Sequence, residues 1–329
     1  MKAVWYDELG PARDVLHTGE LETPEAGPGE VRVALHASGV NPADVKRRGL
    51  GTYGMEYPRI VPNSDGAGVV DQVGDGVSPE LLGKRVWLFN GQRGRAFGTA
   101  AEYIALDSWL VASLPDDLSF AEGACLGIPC MTAHRNVFAD GPVEGKTVLV
   151  TGGAGAVGHY AVQWARWGGA NVIATVSSDN KAAHATAGGA HHTVNYRDPD
   201  AADQILALSN GEGVDRIVEV DLAANFELTG RVLKQGGFVS VYYSSGDAQN
   251  LFMRMTLRNA VVRFMVLHSV PREAIDAARA DIAAWLAGGN ARHTVAATFG
   301  LDHCAEAHEF VESDSKLGTV VVEPGHASP

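Results

Sequence analysis

Residues 146–158 read KTVLVTGGAGAVG. A β-branched apolar run, Val148 to Val150, leads straight into Gly153, Gly155 and Gly158, spaced as GxGxxG. A helical pattern begins at once, with Val157, Ala161, Trp164 and Ala165 on one face and Gly168 and Gly169 as its stop. Strand, glycine turn and helix in that order commit the chain to a βα unit. Gly153 is expected to supply the sharp turn, Gly155 the bare backbone and Gly158 the close helix packing. A helix that starts this way offers N–H groups and the positive end of its dipole to an anion. The context predicts a dinucleotide as ligand.

The rest of the chain tells where this unit sits. Candidate strands at 147–151, 171–176, 192–195, 214–219 and 237–243 are spaced as βα units, which predicts a parallel sheet. Before it, residues 1 to about 123 are β-rich: Val31 to His36 alternates, and Gly66–Gly74 and Arg85–Phe89 are short apolar runs bounded by glycine. Such strands suggest a barrel or sandwich. An amphipathic helix is expected over Arg272–Leu286, with Ile275, Ala278, Ile282 and Trp285 on one stripe, and a last strand over Thr319–Glu323. The expected division is 1–123 for the β-rich part, 124–264 for the dinucleotide-binding part and 265–329 for a return to the first.

Composition narrows the function classes. A net charge of −13 argues against non-specific binding to nucleic acid or acidic membranes. Three cysteines without a Cys-x-x-Cys pair give no disulfide framework and fit a reducing compartment. No secretory core or membrane-length apolar run is visible, so a cytoplasmic protein is expected. His191 and His192 are adjacent, but neighbours on a strand face opposite sides, which disfavours a shared metal.

The end of the second candidate strand bears on the nucleotide. An Asp or Glu there hydrogen-bonds the ribose diol of NAD. This chain has Ser177, then Ser178, with Lys181 shortly after. A hydroxyl can donate a hydrogen bond to a 2′-phosphate that a carboxylate would repel, and lysine supplies a counter-charge, so NADP is favoured over NAD. Ser177 to Lys181 also suits an ordinary helix start, and Asp179 either caps that helix or reaches the ribose and restores NAD use.

Several further motifs carry a family resemblance: Gly39-Val-Asn-Pro-Ala-Asp44, Pro62 to Val70, Gly123 to His134, Asn195-Tyr-Arg197 and Leu233 to Gly237. With the glycine turn, they resemble the zinc-free quinone oxidoreductases, the zeta-crystallin-like NADPH:quinone reductases of the medium-chain dehydrogenase/reductase superfamily. The resemblance runs essentially end to end. It implies an α/β chain, a GroES-like β-rich catalytic domain plus a doubly wound parallel-sheet Rossmann domain, with the active site in the cleft between them. Where zinc alcohol dehydrogenases of the superfamily place Cys, His and Cys, this chain has Asn41, Ser64 and Ile128, none a good zinc ligand. Without a Lewis acid a developing alkoxide is not stabilised, so reduction of an electron-poor acceptor is favoured over alcohol oxidation.

The resemblance also implies residue roles. Ala154, Gly155, Ala156 and Val157 hold the diphosphate, and Ser177, Lys181 and Tyr196 surround the 2′-phosphate. Asn225, the segment Tyr242, Tyr243, Ser244, Ser245 and the segment Phe264, Met265, Val266 match the nicotinamide half. Core packing is the other reading of Tyr242 and Phe264. Asn41 and Thr132 lie near the nicotinamide ring. Lys46 stands where relatives often carry tyrosine, facing a phosphate, the substrate or solvent. Tyr53 resembles the proton-donating tyrosine of related enoyl reductases, or packs as a lid on the cofactor. The basic residue usual before the last strand is matched by Lys316 at best, with Asp314 close to its place.

The expected activity is NADPH-dependent, metal-free hydride transfer to a quinone or α,β-unsaturated carbonyl, by a homodimer. An enoyl-thioester reductase of the same fold is one alternative. A non-catalytic, crystallin-like NADPH-binding protein with a structural or regulatory role is another.

Overall fold

Alternation along Glu30–Val40 buries Val31, Val33 and Leu35 completely, and this 11-residue run is the longest strand among the described residues. The computed structural model describes residues 1–50, 54–246, 255–313 and 316–325. They form two compact units, Met1–Pro129 with His293–Pro329, and Cys130–Arg292.

The first unit begins with the antiparallel pair β1 (Lys2–Trp5) and β2 (His17–Glu20). Its main strands are β3 (Glu30–Val40), β4 (Asp65–Val73), β5 (Arg85–Leu88), β6 (Tyr103–Asp107) and β7 (Val111–Ser113). Helices α1 (Ala12–Val15), α2 (Pro42–Leu50) and α3 (Phe120–Gly123) connect and cover them. β3 is central, pairing antiparallel with both β4 and β6. Gly68 of β4 permits that pairing at close quarters, since a Cβ there would stand 2.0 Å from the Ala34 carbonyl oxygen.

The second unit starts with α4 (Met131–Phe138) and carries a six-stranded sheet. Its strands are β8 (Thr147–Val150), β9 (Asn171–Val176), β10 (His192–Asn195), β11 (Val214–Glu219), β12 (Leu233–Val241) and β13 (Val261–Phe264). They lie in the order β10-β9-β8-β11-β12-β13, every pair parallel. Right-handed crossovers would place helices on both faces of such a sheet. These are α5 (Ala156–Trp167), α6 (Asp179–Ala187), α7 (Ala201–Leu208) and α8 (Leu222–Val232). The order reverses between β8 and β11, and ligands of open α/β sheets bind outside the strand ends at that point. α5 is more deeply sunk than one apolar stripe implies: every residue from Gly158 to Ala165 is buried.

The chain then returns to the first unit. β14 (Val295–Gly300) pairs parallel with β15 (Thr319–Glu323), and β15 pairs antiparallel with β3. The division differs from the expected one at both ends. Residues 265–292 stay with the parallel-sheet unit because the helix Arg272–Ala287 packs on α4 and α5. Trp285 lies tilted against Trp164 at 4.8 Å between centroids, and Asp281 meets the buried His134 imidazole at 2.7 Å. Residues 124–129 stay with the β-rich unit, where Ala124 packs with Ala37 and Val321 and the Ile128 N–H reaches Asp65.

Candidate active site

The glycine turn at the end of β8 is built as a cradle, with a reassignment of roles. The residue in the left-handed region is Gly152 (φ 63), not Gly153. Gly153 is required for another reason: a Cβ there would lie 2.6 Å from the Ala174 Cβ on β9. At Gly158 a Cβ would stand 2.1 Å from the Gly152 carbonyl oxygen, so the third glycine lets α5 close onto the turn itself. At Gly155 a Cβ would meet only that oxygen, at 3.4 Å, and otherwise open space. No side chain caps the start of α5. These residues therefore fit a diphosphate: bare backbone, helix N–H groups and room for oxygens. Ala154 is buried, Gly155 is exposed, and Ala156 and Val157 are partly exposed at the helix start.

A second cluster forms at the ends of β9 and β10. The Tyr196 N–H donates to the Val176 carbonyl at 3.0 Å, which sets Tyr196 beside Ser177. Tyr196 is 45% exposed, and the Arg197 guanidinium lies over its ring. α6 is capped by the Ser178 hydroxyl, which accepts the Lys181 N–H at 3.4 Å, so Asp179 is not the cap. Ser177 and Lys181 are each partly exposed.

A third cluster lines a shallow, open pocket of about 250 Å³. It is lined by Val241 to Ser244 at the end of β12 and Phe264 to Val266 at the end of β13. The structure thus joins two segments that sequence separates by about twenty residues. Phe264 is 64% exposed, which removes plain core packing as its role. Ser245 donates from both its N–H and its hydroxyl to Asp221, at 2.9 and 3.1 Å.

Beneath these clusters lies a carboxylate the sequence reading passed over. Glu219 ends β11 and is fully buried. Its Oε1 accepts from the Thr151 hydroxyl (3.0 Å), the Asn225 amide (2.7 Å) and the Asp221 N–H (2.8 Å), and its Oε2 from the Thr229 hydroxyl (2.9 Å). Burial raises its pKa and the four donors oppose that. Burial, then the Glu219 charge, push the Tyr242 phenol upward. Thr132 on α4 is placed by a similar relay: its carbonyl accepts from Asn136, whose amide oxygen takes the Ser240 hydroxyl of β12 at 2.6 Å.

In the first unit, Asn41, Ser64 and Ile128 do converge, on two buried carboxyls. Asn41 donates its N–H to Asp44 (2.8 Å) and its amide to Asp65 (2.7 Å). The Ser64 hydroxyl donates to Asp44 (2.9 Å), and the Ile128 N–H to Asp65 (2.8 Å). Burial pushes Asp44 up to about 6. Burial and the charge of Asp44 push Asp65 well above the carboxylate range. Lys46 is partly exposed on α2. Tyr53 and Asp314 lie outside the described residues. Lys316 is held by the Val311 carbonyl at 2.8 Å. The cysteines are buried, and burial pushes Cys125 and Cys304 up to about 12, so neither offers a thiolate.

Residues 27–116 match the alcohol dehydrogenase GroES-like domain, and residues 156–284 match the family described as zinc-binding dehydrogenase. A quinone oxidoreductase of Homo sapiens is 30% identical over 312 residues, which cover 94% of this chain and 93% of that protein. The chain belongs to the quinone oxidoreductase family of the medium-chain dehydrogenase/reductase superfamily. Its β-rich unit is the GroES-like domain and its parallel-sheet unit the Rossmann domain. A solved NAD-dependent alcohol dehydrogenase matches with a TM-score of 0.91 at 30% identity, covering 99% of this chain and 100% of that one. A mycobacterial protein solved in complex with NADPH matches with a TM-score of 0.88 at 27% identity, covering 98% and 100%.

The family description invites a test for zinc. Zinc takes thiolate, imidazole or carboxylate in a tetrahedral set. Here the three positions offer an amide, a hydroxyl and an aliphatic side chain, and their hydrogen bonds go to Asp44 and Asp65. Among the described residues no three His, Cys, Asp or Glu are grouped to hold a metal. His191 Nδ1 accepts the Val172 N–H at 2.9 Å, a structural bond to β9. The donor set does not fit zinc.

Proposed function

We propose that this chain is an oxidoreductase that moves hydride from NADPH to a quinone or an α,β-unsaturated carbonyl without a metal. The observation that carries the reading is the replaced ligand set. Asn41, Ser64 and Ile128 are bonded into a network around Asp44 and Asp65, which leaves no Lewis acid for an alkoxide. Quinones and enones need none, because conjugation spreads the incoming charge. The quinone oxidoreductase of Homo sapiens supports the substrate class, and the mycobacterial NADPH complex supports the cofactor.

In this reading Ala154 to Val157 hold the diphosphate, while Ser177, Lys181 and Tyr196 hold the 2′-phosphate. Asn225, Thr132, Tyr242 to Ser245 and Phe264 to Val266 orient the nicotinamide half; Asn41 and Lys46, in the GroES-like domain, are assigned to cofactor or substrate by the family resemblance alone. Tyr53 is assigned the proton that follows hydride. When bound, NADPH supplies the hydride; the chain supplies orientation and exclusion of water. Ser177 in place of an acid favours NADPH over the NAD named for the alcohol dehydrogenase relative. A homodimer joined along β13 agrees with that edge strand's exposed Val261 (52%) and Phe264 (64%).

The test is consumption of NADPH and of NADH against a panel of quinones, enones, enoyl thioesters and, with the oxidised cofactors, plain alcohols. Quinone- or enone-dependent oxidation of NADPH is expected. Turnover confined to thioesters selects the enoyl reductase, turnover confined to alcohols overturns the metal-free reading, and tight NADPH binding without turnover selects the non-catalytic one.

A further inference from the structure

Glu219 stands where the strand order reverses. On one side is the glycine turn after β8, reached through the Thr151 hydroxyl. On the other is the pocket, reached through Tyr242, whose N–H donates to the Glu219 carbonyl at 3.2 Å. Among the described residues, the main groups acting on the Glu219 carboxyl are hydrogen-bond donors and include no cation. All four of its partners donate, and the Asp221 N–H and the Asn225 amide N–H can do nothing else. Such a shell favours the carboxylate, against the burial that on balance raises its pKa. Its charge is out of contact with solvent and is felt at longer range than a surface charge.

A nicotinamide ring is neutral before hydride leaves and carries one positive charge afterwards. We propose that Glu219 sets the redox poise of this site, its buried carboxylate favouring the oxidised, cationic nicotinamide over the reduced, neutral one. The inference rests on the reading of the pocket as the nicotinamide site. The balance is simple: the C4–H bond breaks with its electron pair, both electrons reach the acceptor, and the acceptor anion takes its proton from elsewhere. The charge left on the ring is the quantity Glu219 acts upon. Asp221 adds a weaker charge of the same sign, since it is partly exposed and screened. Glu219 also fixes Asn225 with its amide nitrogen toward the carboxylate, so the same residue orients a side chain assigned to the cofactor.

A merely structural Glu219, tying β8, β11 and α8 together, would affect both cofactor forms alike. The ratio Kd(NADP+)/Kd(NADPH) separates the two roles. It is measured by calorimetric titration of the wild type, Glu219→Gln and Glu219→Asp. Glu219→Gln is expected to raise the ratio about tenfold, a rise of ~30 mV in the potential of the bound two-electron couple. Glu219→Asp, which keeps the charge, is expected to stay within about twofold of the wild-type ratio even if both affinities fall. If the amide variant does not fold, Glu219→Ser carries the same expectation. Equal changes in both dissociation constants, or an unchanged ratio, overturn the proposal alone. A wild type that binds neither form overturns the cofactor reading, and this inference with it.

Discussion

The glycine turn makes a prediction that separates folding from binding. In Gly158→Ala the new Cβ would lie 2.1 Å from the Gly152 carbonyl oxygen, 2.8 Å from its carbon and 3.1 Å from the Gly153 Cα. All three are backbone atoms, so no side chain can swing away. The turn and α5 must part by about 1 Å, an overpacking that costs ~2–3 kcal/mol. For a unit of this size that lowers Tm by about 4–10 °C. The same displacement moves the cradle, so NADPH affinity should fall at least tenfold. Gly155→Ala is the counterpart. Its Cβ meets one oxygen at 3.4 Å, an ordinary contact, and its φ of −73° suits alanine. A poorer helix cap and a stiffer unfolded chain offset within about 1 kcal/mol. Tm should therefore hold within about 3 °C while NADPH affinity drops, because the methyl occupies the space for the diphosphate. Differential scanning calorimetry and calorimetric titration read the two effects. A Gly158→Ala protein with wild-type Tm, or a Gly155→Ala protein with wild-type affinity, would refute the reasoning.

Other expectations concern charge. Asp44 and Asp65 are acids raised in the folded chain, so the folded state binds more protons than the unfolded one above the ordinary carboxylate range. Their contribution to stability is present at low pH and lost as pH rises, for Asp44 between 3.8 and about 6. Asp65→Asn keeps an oxygen for Asn41 and Ile128 and removes the like charge beside Asp44. The loss of stability between pH 4 and pH 7 should shrink in denaturant titrations, and an unchanged pH profile would count against the network. Lys181→Met should weaken NADPH binding about fivefold and leave NADH alone, and equal effects on both would remove the lysine from the phosphate site. Phe264→Lys places a charge on the β13 edge and should shift a dimer toward monomer in sedimentation; an unaltered mass would remove that edge from the interface.

What the sequence revealed and what it hid divide along physical lines. The strands of the parallel sheet were legible because β-branched runs between glycines are local signals: 171–176, 192–195 and 214–219 match β9, β10 and β11. The glycine spacing was legible for the same reason, although the left-handed residue proved to be Gly152. Charged residues inside β11 were not. Arg216 is almost completely buried because the carbonyls of Val137, Asp140 and Gly141 surround its guanidinium, and Phe238 lies beside it at 5.1 Å. Glu219 is buried because four donors from β8 to α8 converge on it. Neither environment exists until distant segments meet. The Asp44–Asp65 network likewise joins α2, β4 and the segment at Ile128. Its clue lay in the motifs themselves, since each acid is adjacent to or three residues from a substituted ligand position, Asn41 or Ser64.

Metal-free hydride delivery is tested most directly by following NADPH oxidation with a quinone in chelator-treated protein whose metal content is measured in the same sample. Turnover that persists in protein lacking stoichiometric metal is the expected result, given a ligand set of amide, hydroxyl and aliphatic side chain. Activity that vanishes with the chelator and returns with zinc would contradict the account.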